Sequence, residues 1–233
     1  MKKDRIWELD ALRGLCVLGM VAVHGIYDAA ELYGLLDWQY PPVFLLLKDW
    51  GGVVFLLLSG VCATLGSNSS RRGLLVFGCG MLITAVTAAG FFLGLVDGSL
   101  VISFGVLHCL GLSMTLWPVF QNGKGKNLTL LGAVLVLAGL CFRELSVNTP
   151  WLIPFGLTPA DFAAADYFPI LPNFGFFLLG AALGKLLYSH KTTRFPGDRG
   201  PVSRFLQACG RQSLPIYLLH QPALLGVLAL IQS

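Results

Sequence analysis

Residues 9–28 read LDALRGLCVLGMVAVHGIYD, and the class of fold turns on them. Asp10, Arg13, His24 and Asp28 flank or interrupt a run that is otherwise apolar enough to cross a membrane. At about 100° per residue, the eleven steps from Arg13 to His24 make about three helical turns. The two residues therefore share one face, about 16 Å apart along the axis. Asp28 follows His24 by four residues, so the spacing predicts that their side chains meet on that face. Charges at membrane depth are costly and face a protein interior or a wet cavity.

The remainder of the chain supplies the lipid setting. Its 233 residues are 55% hydrophobic and only 12% charged, with a mean hydropathy of +0.74. Soluble domains carry about 25% charged residues. Seven apolar stretches, 9–30, 43–66, 73–96, 100–120, 128–142, 170–188 and 212–231, predict seven transmembrane helices in one domain over residues 1–233. The fold class is therefore all-α, a polytopic integral membrane bundle. Fourteen of the sixteen Lys and Arg residues fall on one side of this arrangement, with only Lys48 and Arg143 on the other. The positive-inside rule then places the N-terminus in the cytoplasm and the C-terminus outside.

Residues 1–5, Met-Lys-Lys-Asp-Arg, resemble the start of a signal peptide. The run after them contains Arg13 and lacks an Ala-x-Ala site, so a retained first span is expected. The long outer connection 143–169 is rich in proline and aromatics and reads as an irregular lid on the bundle. The inner connection 189–211, with Pro196-Gly197 and Gly200-Pro201 breaks, reads as a flexible basic loop. Glycines inside the spans, Gly14, Gly19, Gly60, Gly78, Gly80, Gly111, Gly180 and Gly184 among them, are expected at close helix contacts.

A net charge of +4 scattered over short loops is no nucleic-acid signal. No phosphate loop, metal-type Cys/His spacing or fixed repeat occurs. The six cysteines lie mostly in apolar runs and imply no disulfide framework, only small buried side chains.

Three of the four histidines fall at membrane depth: His24 and His108 in the outer half and His220 near the middle. Ser213, Tyr217 and His220 share one face of the last span. A histidine with a carboxylate partner makes a general base, so His24, Asp28 and Arg13 form the candidate catalytic group. His108, His220, Tyr217, Lys48 and Asp49 are candidate acceptor contacts. Arg13, Arg71, Arg72 and Arg211 are candidates for binding the phosphates of a nucleotide-based acyl carrier. Simpler readings stand beside these: Arg13 snorkelling and pairing with Asp10, Lys48 with Asp49 as an interfacial ion pair, and histidines bonding a neighbouring helix. Acyl transfer from a cytosolic thioester fits the arrangement. So does a proton-coupled carrier or flippase, although no inverted repeat is visible.

The segment Asp4-Arg5-Ile6-Trp7-Glu8-Leu9-Asp10-Ala11-Leu12-Arg13-Gly14, continued to His24, resembles the opening of the transmembrane acyltransferase superfamily. It is most similar to the bacterial family resembling the catalytic domain of heparan-alpha-glucosaminide N-acetyltransferase. The related acyltransferase-3 family has an arginine and a histidine with ten residues between, as Arg13 and His24 have. Phe104 to His108, Asp166 to Pro172 and Gly210 to Pro222 carry the same likeness across nearly the whole chain. The resemblance implies a multi-pass enzyme of the bacterial inner membrane. It would take an acyl group, usually acetyl, from cytosolic acyl-CoA to a sugar hydroxyl or amine, with no metal. It matches His24 to the catalytic first-span position and Arg13 to the acyl-CoA-associated arginine. The lysosomal enzyme of that family departs from this pattern, with asparagine in the first-span region and a histidine in the next loop, where residues 31–42 here hold none.

Overall fold

The computed structural model describes residues 5–196 and 200–232. Lys2, Lys3, Gly197, Arg199 and the start of the predicted first segment lie outside the described residues, as does the Pro196-Gly197 break. Eight α-helices follow in chain order: α1 Trp7–Tyr27, α2 Pro42–Leu65, α3 Ser69–Phe92, α4 Val106–Phe120, α5 Gly125–Phe142, α6 Ile170–Leu187, α7 Pro201–Arg211 and α8 Ser213–Gln232. A single π-helical turn, Asp28–Leu32, extends α1, and among the described residues only two isolated β-bridges break the all-helical pattern.

Six helices are long and apolar enough to cross a membrane: Trp7–Leu32, Pro42–Leu65, Ser69–Phe92, Gly125–Phe142, Ile170–Leu187 and Ser213–Gln232. The fourth predicted span is shorter than expected. Instead of 100–120 it is Val106–Phe120, a helix of 15 residues, about 22 Å long against about 30 Å of hydrocarbon. Its start is fixed by polar groups: the Val106 N–H donates to Asp166 Oδ2 at 3.1 Å, and the Gly105 N–H to His108 Nδ1 at 3.1 Å. A carboxylate on the exposed amide of a helix start is favourable both as a cap and against the helix dipole. Residues 101–105 thereby stay outside the helix, with the Phe168 N–H donating to the Phe104 carbonyl at 2.9 Å.

The chain divides into two compact units. One comprises Met1–Phe55 and His190–Ser233, the other Leu56–Ser189. In the first, α1 packs on α7 and α8. The α1–α7 contact is a backbone crossing at Gly14 and Gly210, where a Cβ on either glycine would collide with the Leu206 or the Asp10 carbonyl oxygen. The inner connection, predicted as a flexible loop, thus holds an 11-residue helix, α7. Pro201 occupies the first turn behind Gly200, the one helical position where its missing N–H costs nothing. Gln207 and Gly210 are buried. Ahead of α7 the chain is strapped to the start of α1. Buried Glu8 accepts from Thr193 Oγ1 at 2.7 Å and from the Arg194 N–H at 2.8 Å, while Trp7 Nε1 donates to the Phe195 carbonyl at 3.0 Å.

In the second unit, α3 meets α4 at Gly73 and Gly111, α5 meets α6 at Gly132 and Gly175, and the C-terminal half of α2 meets α6 at Gly60 and Gly180. The packing expected of membrane glycines is what these show, whereas a Cβ at Gly19 or Gly78 would meet nothing within 4 Å, so those two sit at no close helix contact. Helix α6 is the centre, with Phe177 and Leu178 fully buried. Outward-facing Leu74, Val86 and Phe92 are exposed, as lipid-facing side chains are. The outer connection holds one 3₁₀ turn, Pro150–Phe155, and is otherwise irregular, as its prolines predict. Tyr167 Oη donates to the Ile153 carbonyl at 2.7 Å, and burial pushes this phenol up to about 12. No disulfide joins any of the six cysteines.

Candidate functional site

The first unit brings His24 and His220 together. They lie 196 positions apart in sequence, on α1 and α8, with His24 Nδ1 2.8 Å from His220 Nε2. The ring planes differ by 18° and the centroids are 5.0 Å apart. That separation is about one N···N bond plus two ring radii, so the rings lie nearly end to end in a common plane. His220 Nδ1 donates to the backbone carbonyl of Tyr217, one turn earlier on α8. The Tyr217 ring sits 5.5 Å from the His220 ring. His220 is buried, His24 is half-buried, and His24 Nε2 has no hydrogen-bond partner among the described residues.

Two features let the helices approach this closely. Gly25 follows His24 and has no side chain to hold off Leu224, whose Cδ2 would lie 3.3 Å from a Cβ there. Asp28, buried at the start of the π-helical turn, accepts from Gln221 Nε2 at 2.8 Å, which ties α1 to the residue after His220. Tyr33 Oη donates to the Leu225 carbonyl at 3.1 Å, one turn further on. The α1–α8 seam is thus fixed at three successive points.

The expected bond between His24 and Asp28 is not made. The helix does continue through Asp28, but each side chain turns to α8, His24 to His220 and Asp28 to Gln221. The four-residue spacing correctly puts both on one face. What it does not reveal is that the face is covered by a second helix offering each of them its own partner. Gln221 was missed because an amide next to a histidine carries no spacing signal of its own. Glu8 was missed for a similar reason, since an acidic residue in the first turn of a helix reads as an ordinary dipole match.

Arg13 lies 3.7 Å from Asp10, and Arg5 lies 3.9 Å from the same carboxylate. The arginine on the His24 face is therefore held in a small charge cluster at the first turns of α1. Lys48 and Asp49 pair with each other at 3.9 Å on an exposed stretch of α2. Arg211 ends α7.

His108, Arg71 and Arg72 belong to the second unit. His108 is almost wholly buried, between the edge of Phe77 and the tilted ring of Phe104. Its Nδ1 accepts from the Gly105 N–H and must therefore be unprotonated. Its Nε2 then donates to Thr84 Oγ1 at 3.2 Å, and that hydroxyl donates onward to the Ile102 carbonyl at 2.6 Å. Both ring nitrogens are engaged. Arg71 and Arg72 are in the first turn of α3, and Arg72 packs over Gly66.

No group of three or more His, Cys, Asp and Glu among the described residues is placed to hold a metal ion. No curated protein and no solved structure matches the chain. A model of the family described as heparan-alpha-glucosaminide N-acetyltransferase, catalytic, matches residues 5–222, a span that takes in His24, Asp28, Tyr217, His220 and Gln221, and the chain belongs to that family of membrane acetyltransferases.

Proposed function

We propose that the protein transfers an acyl group, acetyl in the first instance, from cytosolic acyl-CoA to a hydroxyl or amine of a sugar or envelope glycan. One observation carries this reading beyond family membership: His24 presents an unclaimed ring nitrogen on the first span while its other nitrogen is bonded to His220. That is the arrangement a general base requires, one nitrogen oriented and the other available.

In the proposed step, His24 Nε2 removes the proton from the acceptor hydroxyl or amine as its oxygen or nitrogen attacks the thioester carbonyl. The tetrahedral adduct collapses with cleavage of the C–S bond, and the departing CoA thiolate takes the proton back from His24. In the alternative route His24 Nε2 itself attacks the thioester carbonyl and the C–S bond breaks to release CoA thiolate. The acceptor then attacks the acyl-imidazole, the C–N bond breaks, and the acceptor's proton passes through the freed imidazole to the thiolate. Asp28 supports the pair through Gln221. Tyr217 is proposed as a wall on the acceptor side, and Lys48 and Asp49 as exposed acceptor contacts. His108 is left out of acceptor binding because both its nitrogens are already bonded.

Arg13 and Arg211 are proposed to draw in the CoA phosphates, Arg13 exchanging Asp10 for the ligand. Arg71 and Arg72 are proposed to add positive potential to the inner flank of their own unit. The Lys and Arg distribution supports a cytoplasmic N-terminus, the six long apolar helices support a multi-pass location, and the bacterial inner membrane is proposed as that location.

Radiolabelled acetyl-CoA incubated with the purified protein and a panel of glycans tests the reading. Label transferred to glycan by the wild type, and lost in His24→Ala, supports it. Solute flux without acetyl incorporation would favour a carrier instead.

A further inference from the structure

We infer that His220 is a positioning residue: it sets the tautomer of His24, and the Tyr217 carbonyl sets its own. The inference rests on the proposed role of His24 for its kinetic consequence, but its structural content stands apart from that role.

A carbonyl oxygen can only accept, so the hydrogen in the bond to Tyr217 belongs to His220 Nδ1. In the uncharged ring, His220 Nε2 is then a lone pair. The 2.8 Å contact needs one hydrogen, and it can come only from His24 Nδ1. His24 Nε2 is left as the basic nitrogen. The direction of the whole chain, from His24 to His220 to the backbone, is thus fixed by a peptide group that cannot reverse. The near-coplanar rings keep the hydrogen on the line between the two nitrogens.

A free neutral imidazole in water favours the other tautomer, with hydrogen on Nε2. In that form His24 would present a donor where the reaction needs an acceptor. His220 therefore does for His24 what an orienting carboxylate does for the histidine of a hydrolase triad, without placing a negative charge in the membrane. When Nε2 of His24 takes up a proton, Nδ1–H keeps its acceptor, so the pair needs no rearrangement during the step. The Asp28–Gln221 bond fixes the rotation of α8 that aims His220 at its partner.

Ring-¹⁵N-histidine spectra of the protein in lipid nanodiscs give the direct test, with the His24 signals assigned by their absence in His24→Ala. The wild type should show His24 protonated on Nδ1 and bare on Nε2. His220→Leu should move the proton to Nε2, and His220→Gln, whose amide oxygen can accept from Nδ1–H, should keep it on Nδ1. With labelled acetyl-CoA and a glucosamine-terminated oligosaccharide, His220→Leu should lower kcat by about 10²-fold or more with KM little changed, and His220→Gln should recover most of it. A wild-type His24 carrying its hydrogen on Nε2, or a His220→Leu variant with unchanged tautomer, would overturn the inference. The predicted tautomers with no acetyl transfer by the wild type would instead remove the proposed function and leave the positioning intact.

Discussion

His108 and His24 are both histidines on apolar helices, and they have opposite chemical fates. His108 has spent both nitrogens, one closing the start of α4 through Gly105 and the other on Thr84. His24 has spent one nitrogen and kept one. What separates a structural histidine from a reactive one is the number of ring nitrogens left over, and burial follows suit, with His108 enclosed and His24 only half-buried. Membrane depth alone does not distinguish them.

The comparison breaks first at His24. His24→Ala should cut acetyl transfer by at least about 10²–10⁴-fold while leaving the protein inserted and folded, as read by labelled transfer alongside size-exclusion behaviour in detergent. The reverse outcome is expected at the other histidine. His108→Leu strands the Gly105 N–H in a buried place and should cost about 1–3 kcal/mol, seen as a lower midpoint of thermal unfolding, with turnover per folded molecule within about twofold of wild type. A large kcat loss in folded His108→Leu would end the distinction drawn here. Asp28→Asn keeps an oxygen for Gln221 but drops the charge, and should lower kcat by only a few-fold, since no bond joins Asp28 to His24.

The smallest effect concerns the outer connection. Tyr167 has its folded-state value raised to about 12 above an ordinary value of 10. The stability it contributes is therefore whole below pH 10 and is lost as pH climbs towards 12. Tyr167→Phe should flatten that alkaline decline while costing about 0.5–1.5 kcal/mol at neutral pH for the lost bond to Ile153. Thermal unfolding followed between pH 8 and about 12 by circular dichroism reads both.

Much of the architecture is legible in the sequence because a membrane helix announces itself by composition and length. Six of the predicted spans match long apolar helices to within a few residues, and the packing role of Gly14, Gly60, Gly111 and Gly180 follows from their size. The fourth span was misjudged because apolar residues 100–105 look helical until Asp166, sixty residues later, caps the chain at Val106. Helix α7 was hidden by its charge, which masks the small-residue face that meets α1. At the site, helical periodicity placed Arg13, His24 and Asp28 on one face. It could not foresee the His24–His220 bond, because a period relates residues within a helix and that bond joins the two ends of the chain. The two bonds that His108 makes are not legible either, because no local rule weighs a histidine three residues after a glycine as a cap.

The crossing of Gly14 with Gly210 has a consequence for registration. Gly210 precedes His220 by ten residues, about 15 Å of helical rise interrupted only at Gln212. Because the glycines allow backbone against backbone, the crossing tolerates almost no sliding. A slip of α7 along α1 would displace the start of α8, which follows after Gln212, and carry His220 off its partner. The crossing therefore works as a detent, clicking α8 into the single setting at which two imidazoles meet. The strap of Thr193, Arg194 and Phe195 on Glu8 and Trp7 backs the detent by holding the chain ahead of α7 to the same end of α1.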